Sequence, residues 1–587
     1  MSYFLKKSYP SKKGLYLQIY ESFYVPGKGK RNKSFRALGY YDDFINQGIS
    51  DPIAHFQKEI DSLNLSSLKN TEQQISDVST SYYLGHFLLK AMFDYLGMDG
   101  TINIVASNFK CRYMFSDLFK TLCYSQILSP GSKHKAFEKV IPSIYGANSY
   151  SYDQILDAID FIGSDYHKYI EILNHHISLN WKRDLSKVFF DCTNYYFEID
   201  FENDFLKKGP SKERRMDPLL GQALLLDRDQ IPLDTKFYKG NESEMPLLRE
   251  RIEEMKIKND VKGRLIQVAD KGLNCARNIY SAVIEANDGY IFSRSIKGKM
   301  CPREIREAII DHGNVFSSWV SVKGKNGLLS YQYKVIAYHI GNNTYKDYGM
   351  YDYKCKIDPN DKKETQFQVP EKRILIYSPS LARKQRSEIL RQVNKLRASL
   401  SVKNAAKEEY GDLAKYINVT ATDNDGKKVK IASSINEEKV NEDLAFAGYN
   451  LLITSEIDAD PRDIYNVYHN LWRIEESFKV MKSYLEARPV YLSNKNTIYG
   501  HFLLCYISLT ILRLLELKTF NDDIPISQII DFIRQYTVTL NKDGSYINTS
   551  TASETYFYIK EKLGITKLGN VYLKKKDIDN ILATELD

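Results

Sequence analysis

Between Asp460 and Leu485 the sequence reads DPRDIYNVYHNLWRIEESFKVMKSYL, and no other stretch constrains the fold as much. It starts as a helix starts. Asp460 can cap the first free amides, Pro461 suits the first helical position, and Asp463 complements the positive end of the dipole. No Gly or Pro follows to break it. Ile464, Tyr468, Leu471, Glu475, Phe478, Lys482 and Leu485 recur at steps of three and four, so the spacing predicts that they share one face. That face is mostly apolar and is expected to look inward, yet it carries the carboxylate of Glu475. Glu476, about 100° further round, is expected on the flank, paired with Lys479 or Arg473. Burying a carboxylate is costly unless it is paired or binds a metal.

A chain of 587 residues is expected to form two to four domains. With 43% hydrophobic and 27% charged residues it belongs among globular proteins, and its net charge of +8 is compatible with nucleic-acid binding. The seven cysteines are scattered without a CxxC pair, which argues against a zinc site or a disulfide framework. The opening MSYFLKKSYPSKK lacks the apolar core of a signal peptide. The most apolar run, Phe502 to Leu512, is too short to span a bilayer, so a buried helix is expected. These features predict a cytoplasmic, nucleoid-associated protein with no membrane partner.

In chain order, residues 1–76 read as short strands around the basic turn PGKGKRNK, followed by a polar helix. That turn lacks the spacing of a phosphate loop; a solvated hairpin tip and a phosphate contact both fit it. Residues 77–184 read as helical. Within them DLFKTLCYSQILSPGSKHKAFEKV suggests helix, turn, helix, with Lys133 and Lys135 opening the second. This suits either a DNA-end-binding region or an ordinary bundle. Residues 185–296 change to strands. LSKVFFDCTNYYFEID suggests two of them, GQALLLDRDQIPLDTKFYKG a hairpin near Asp227 to Gln230, and the rest alternates helix and strand. Residues 297–447 read as an inserted β-rich subdomain containing a basic amphipathic helix. Residues 448–518 resume the core with a strand, the helix described above and the apolar helix. Residues 519–587 form a helical or mixed tail. The pattern predicts an α/β protein with a mixed sheet flanked by helices, of the ribonuclease-H-like kind.

Two apolar strands run into aspartates: VFFDCT ends at Asp191 and LIQVAD at Asp270. A single such Asp is more often a loop cap. Two of them with Glu475 make a coherent set of hard oxygen ligands, suited to Mg2+ or Mn2+. Two ions about 3.5–4 Å apart would activate a water or a 3′-hydroxyl and stabilise the leaving oxygen.

YHNLWRIEESFKVMK resembles the Y-x2-R-x3-E-x6-K signature of the DDE transposases of bacterial insertion sequences, the YREK group. Tyr468 stands at the Y, Glu475 at the acid and Lys482 at the K. Asp191, followed by Thr193 in D-x-T, resembles the first catalytic Asp, and Asp270 in VADKGL the second. GPSKERR and FYKGNESE are also similar to the family between the two. The resemblance covers roughly 185 to 515. It departs at Leu471, where the signature has Arg, and Arg473 points elsewhere on the helix.

The resemblance implies an enzyme that binds the terminal inverted repeats of its element, cleaves with Mg2+ (Mn2+ substituting) at a two-metal site, and joins the ends to target DNA. Asp191, Asp270 and Glu475 would be catalytic acids and metal ligands, with Tyr468, Trp472, Arg473 and Lys482 at the DNA. Double-stranded DNA is the implied partner, held by a homodimer on paired ends. Trp472 suits base stacking or packing. Lys212, Arg214 and Arg215 suit phosphate contact or a solvated loop. A domesticated copy that binds ends without cutting, and a nuclease that only hydrolyses, remain alternatives.

Overall fold

The computed structural model describes residues 2–586, apart from 11–13, 26–28, 70–79, 110–113, Arg214, 297–300, 314–317, 342–343, Pro359, Asp361, 401–412, Ala414 and 424–428. Cys111, Arg214 and the tip of the PGKGKRNK turn therefore lie outside the described residues. The chain forms two compact units, Met1–Thr80 and Ser81–Asp587.

In the first unit, β1 (Ser2–Ser8), β2 (Tyr16–Val25) and β3 (Gly29–Tyr40) form an antiparallel sheet in the order β1-β2-β3. Side chains alternate across a sheet. Leu17 and Ile19 of β2 are fully buried, as is Ile60 of α1 (Pro52–Lys69), with Phe56 nearly so. Helix α1 pairs with the sheet through Asn64, which exchanges hydrogen bonds with the Tyr3 backbone, and through Glu59, which binds Arg36 at 2.6 Å.

The second unit is built on a ten-stranded mixed sheet. Its strands are β4 (Lys187–Tyr196), β5 (Leu219–Leu226), β6 (Pro232–Lys239), β7 (Ile266–Ala269), β8 (Gly289–Arg294), β9 (Val320–Lys323), β10 (Leu329–Val335), β11 (Gly349–Cys355), β12 (Thr365–Tyr377) and β13 (Tyr449–Thr454). The order is β9-β10-β12-β13-β8-β7-β4-β5-β6, with β11 paired to β12. Strands β4, β7 and β8 run parallel, and β5 and β6 continue from β4 as antiparallel neighbours. The central strands are apolar on both faces, as strands covered on both sides are: every residue of β5 is buried.

The two faces carry separate cores. Phe189, Tyr195, Leu220, Leu224 and Val268 join one with the helical bundle; Val188, Phe190, Cys192, Leu225 and Ala269 join the other, with α6 (Met245–Lys258). The bundle contains α2 (Phe87–Leu96), α3 (Phe115–Leu128), α4 (Tyr152–Ser164), α5 (Tyr166–Asn180), α9 (Lys495–Leu514) and α10 (Ile526–Gln535). Helix α9, with its continuation to Thr519, is long and apolar enough to cross a membrane, but it is almost wholly enclosed by protein. The expectation of a buried helix holds; the reason given for it does not, because the apolar helix is longer than its most apolar run. Helices α4 and α9 cross where Gly163 faces Asn496 and Gly500 faces Ile159. A Cβ at either glycine would collide with the opposing backbone carbonyl.

Three expectations change here. LSKVFFDCTNYYFEID holds one strand, because β4 goes on pairing with β5 to Tyr196 after its pairing with β7 has stopped. The β-rich stretch 297–447 extends the same sheet: β13 pairs with β8, β12 with β13 and β10 with β12. A small satellite core of Ile389, Val393, Leu396, Tyr416 and Val440 lies within that stretch. In the helix-turn-helix of 115–140 Lys133 turns inward, while Lys135 stays exposed. Lys133 is buried and donates to Gln126 at 2.8 Å, its ammonium pushed down to about 8 by burial, and Lys135 donates to the Pro130 carbonyl at 2.8 Å. The apolar faces of these helices join the bundle core.

Candidate active site

Strands β4 and β7 pair in parallel up to Phe190 and Ala269. The next residue on each is an aspartate, so Asp191 and Asp270 stand side by side where the pairing ends. By alternation Asp191 shares a face with Phe189, and Asp270 with Val268. Both therefore face the side of the sheet on which the helical bundle packs. Asp191 lies within β4, not at its end as the sequence suggested; the strand it outlasts is β7.

The two carboxylates differ in environment. Asp191 is largely buried, and burial pushes its pKa up to about 6. Lys212, with its Nζ 3.7 Å away, and the Cys192 amide at 2.7 Å oppose this; Asp270 and Glu244 add repulsion. Asp270 accepts from the Ser293 hydroxyl at 2.7 Å and the Tyr468 hydroxyl at 3.0 Å. Burial raises its pKa too, but these bonds and the Lys271 amide outweigh it and hold the group below the usual carboxylate range. Lys212 also donates to the Cys192 carbonyl and lies 4.0 Å from Glu244. Like charges side by side, one of them raised by burial, are the donor chemistry a divalent cation relieves.

Helices α7 (Pro461–His469) and α8 (Trp472–Lys479) supply the other wall. Asp460 caps α7 through the Arg462 amide at 2.7 Å, as expected. The helix is interrupted at Asn470 and Leu471, and after Lys479 its last turn widens. The packed face runs through Leu471, Ile474, Ser477, Phe478 and Met481, so the stripe of Tyr468, Glu475 and Lys482 is its rim. Glu475 is exposed, not turned inward, because Ile474 and Ser477 take the places against the core. Tyr468 and Lys482 on the same rim bracket it. The first reaches Asp270; the second lies 5.2 Å from the Tyr195 ring and 3.3 Å from Glu213. Among the described residues no three His, Cys, Asp or Glu side chains are grouped closely enough to hold a metal ion together. The structure thus brings Asp191 and Asp270 together and leaves Glu475 on the rim.

Glu476 is the acid that is built into the fold. It binds Arg473 at 3.3 Å and Arg513 of α9 at 2.8 Å, and Arg513 also pairs with the fully buried Glu516. The expectation that Arg473 contacts DNA meets a physical obstacle. Its guanidinium faces Glu476, Glu516 and Asp522 and lies 4.2 Å over the Trp472 ring. Trp472 itself is 40% exposed.

Sequence reasoning singled out Lys482 and Arg215 but missed Glu213, Arg488 and Tyr196, which join them in one cluster. Glu213 holds Lys482 and Arg488, and Tyr196 has Arg488 4.6 Å from one ring centre and Arg215 at 4.1 Å. Ser293 and Glu244 were missed as well. The signal available was the density of Lys and Arg in GPSKERR; nothing local shows that Arg488 would join it.

No protein-family model matches the chain, and no curated protein matches it. Among solved structures it is similar to a piggyBac transposase synaptic complex with hairpin DNA, at 10% identity and a TM-score of 0.35, covering 86% of each chain. Likeness at that level carries no argument.

Proposed function

We propose that this protein is a DNA transposase of the DDE class, working on double-stranded DNA at the ends of its own element. The observation that carries the reading is the placement of Asp191 and Asp270 side by side where a parallel strand pair stops pairing, on the face against which α8 packs. Three further features support it. The order β6-β5-β4-β7-β8, with the first three strands antiparallel and the last two parallel to β4, is what a ribonuclease-H-like core requires. The unlike environments of the two aspartates suit a shared cation. Lys212, Arg215, Lys482 and Arg488 provide positive charge beside them for a phosphate backbone.

In this reading Asp191 and Asp270 would hold Mg2+ or Mn2+, with Glu475 on the rim as the third acid. Held there, divalent ions would supply activation of a water or 3′-hydroxyl and stabilisation of the leaving oxygen. The chain's own residues do the rest. Tyr468 and Ser293 orient the Asp270 carboxylate. Lys212 stabilises charge on Asp191. Lys482 and Arg488 position a phosphate, and Trp472 offers an exposed ring to a base. A homodimer on paired ends, in the cytoplasm at the nucleoid, is the proposed working form.

The separated position of Glu475 favours one alternative, a copy that binds ends without cutting. The experiment incubates the protein with duplexes carrying the element's termini, in Mg2+ and in chelator, with and without target DNA. Metal-dependent cleavage and joining that are lost in Asp191→Asn and in Asp270→Asn support the reading. Cleavage without joining would make it a nuclease, and binding without cleavage the decayed copy.

A further inference from the structure

The charge of the chain is concentrated at one end. Nine of its 82 Lys and Arg and one of its 74 Asp and Glu lie in the first 40 residues, leaving 73 of each sign beyond. The whole net charge of +8 therefore belongs to β1, β2, β3 and their turns. Lys12, Lys13 and Lys28 lie outside the described residues; Lys6, Lys7, Lys30, Arg31, Lys33 and Arg36 are all exposed.

The two faces of this sheet differ. One carries Leu17 and Ile19, which are buried, and Arg36, which is paired with Glu59 of α1. The register puts Phe4 opposite Tyr20 and Tyr20 opposite Ser34, Lys6 opposite Gln18, and Ser22 opposite Asn32. These residues, with Tyr16, Tyr40 and Lys30, make up the other face, on which Ser22 alone of those named is buried. Glu21, the only acid among the first 40 residues, alternates onto the first face. The second face thus has lysines, amides and hydroxyls, the rings of Phe4, Tyr16, Tyr20 and Tyr40, and no carboxylate among its described residues. Lys6 lies 4.3 Å over the Tyr20 ring.

We infer that this open face is a docking surface for duplex DNA. Lys6 and Lys30, with no carboxylate beside them among the described residues of this face, fit the phosphate backbone, and Gln18 and Asn32 carry the paired donor and acceptor that reads a base edge. Dimensions agree: three strands about 4.8 Å apart are about 10 Å across, and the major groove is about 12 Å wide. The rings stand as two pairs, Phe4 with Tyr20 and Tyr16 with Tyr40, set among lysine, amide and hydroxyl groups, which is not the contiguous apolar patch a protein partner needs. The choice of duplex rests on the proposed function, but the surface does not depend on the catalytic site.

The test measures binding of the full-length protein to a fluorescent duplex of mixed sequence, in chelator, across a salt series. Because no cleavage is involved, failure of the catalytic reading leaves the result intact. Lys6→Gln with Lys30→Gln should bind several-fold more weakly and lower the log–log salt slope by about one unit per lysine. Ser34→Lys should raise the slope by a similar amount, and Arg303→Gln, at an exposed position far along the chain, should leave it unchanged. Unchanged melting temperatures would show that folding is intact. A slope unaffected by the lysine and Ser34 variants, or tighter binding of single-stranded RNA than of duplex at the same salt, overturns the proposal.

Discussion

The hydroxyl of Tyr468 donates to Asp270 across 3.0 Å, joining a helix to a strand end 198 residues earlier. This bond is one of three that hold the Asp270 carboxylate charged against the cost of burial. Tyr468→Phe should therefore destabilise the protein by about 1 kcal/mol at neutral pH. A carboxylate with a depressed folded pKa contributes stability above its unfolded pKa and loses it as pH falls through the folded value. The variant's deficit should accordingly shrink as pH falls through the carboxylate range. Urea denaturation of both proteins across that range checks this; a deficit constant with pH would assign the loss to packing.

Glu475 and Glu476 should separate stability from activity. Glu475 is exposed, so Glu475→Gln should change unfolding free energy by no more than about 0.5 kcal/mol. Under the proposed function it should still abolish metal-dependent cleavage. Glu476→Gln should show the converse, costing about 1–3 kcal/mol because Arg513 loses a charged acceptor, while keeping cleavage where the protein remains folded. Denaturant midpoints and end cleavage in Mg2+ and Mn2+ decide both.

Gly500 is where α9 touches the backbone of α4. Gly500→Ala puts a methyl group against the Ile159 carbonyl, and two packed helices must move to admit it. Overpacking of this kind costs about 1–3 kcal/mol, outweighing the gain of up to about 1 kcal/mol expected from Ala over Gly inside a helix. The melting temperature should fall. A rise would show that the crossing is looser than its geometry indicates.

Two buried histidines predict an acid-sensitive fold. Burial pushes His86 down to about 4 and His501 down to about 3. Both stay neutral in the fold and charge freely once it opens, so below about pH 6.5 unfolding takes up protons and stability falls with pH. The slope reaches about 1.4 kcal/mol per pH unit for each histidine. Asp227 and Asp234, pushed up to about 6 by burial, work the other way, since they protonate first in the fold. His86→Gln removes one histidine and leaves the aspartates. The stability of the native protein minus that of the variant should therefore decline from pH 6.5 towards 4, read by denaturation at each pH. A flat difference would mean that His86 carries its proton inside the fold.

Local pattern alone was enough for much of this protein. The capped start at Asp460, the hairpin turning at Asp227 and the buried character of α9 follow from turn chemistry and apolar runs, which act over a few residues. So do the two apolar segments leading into Asp191 and Asp270. What lay between elements did not follow. The sequence cannot say that β7 stops where Asp191 begins, because strand partners are chosen across the sheet. It predicted an inward Glu475 from spacing, but the packed arc of α8 was set by the bundle and β4, which took Ile474, Ser477 and Met481 and left Glu475 on the rim. Lys133 had the look of a DNA-facing residue until Gln126 gave its ammonium a buried partner. Arg473, Glu476, Arg513 and Glu516 are ordinary charges in the sequence. Only tertiary packing made them one network, because a buried charge must find its partners wherever the chain brings them.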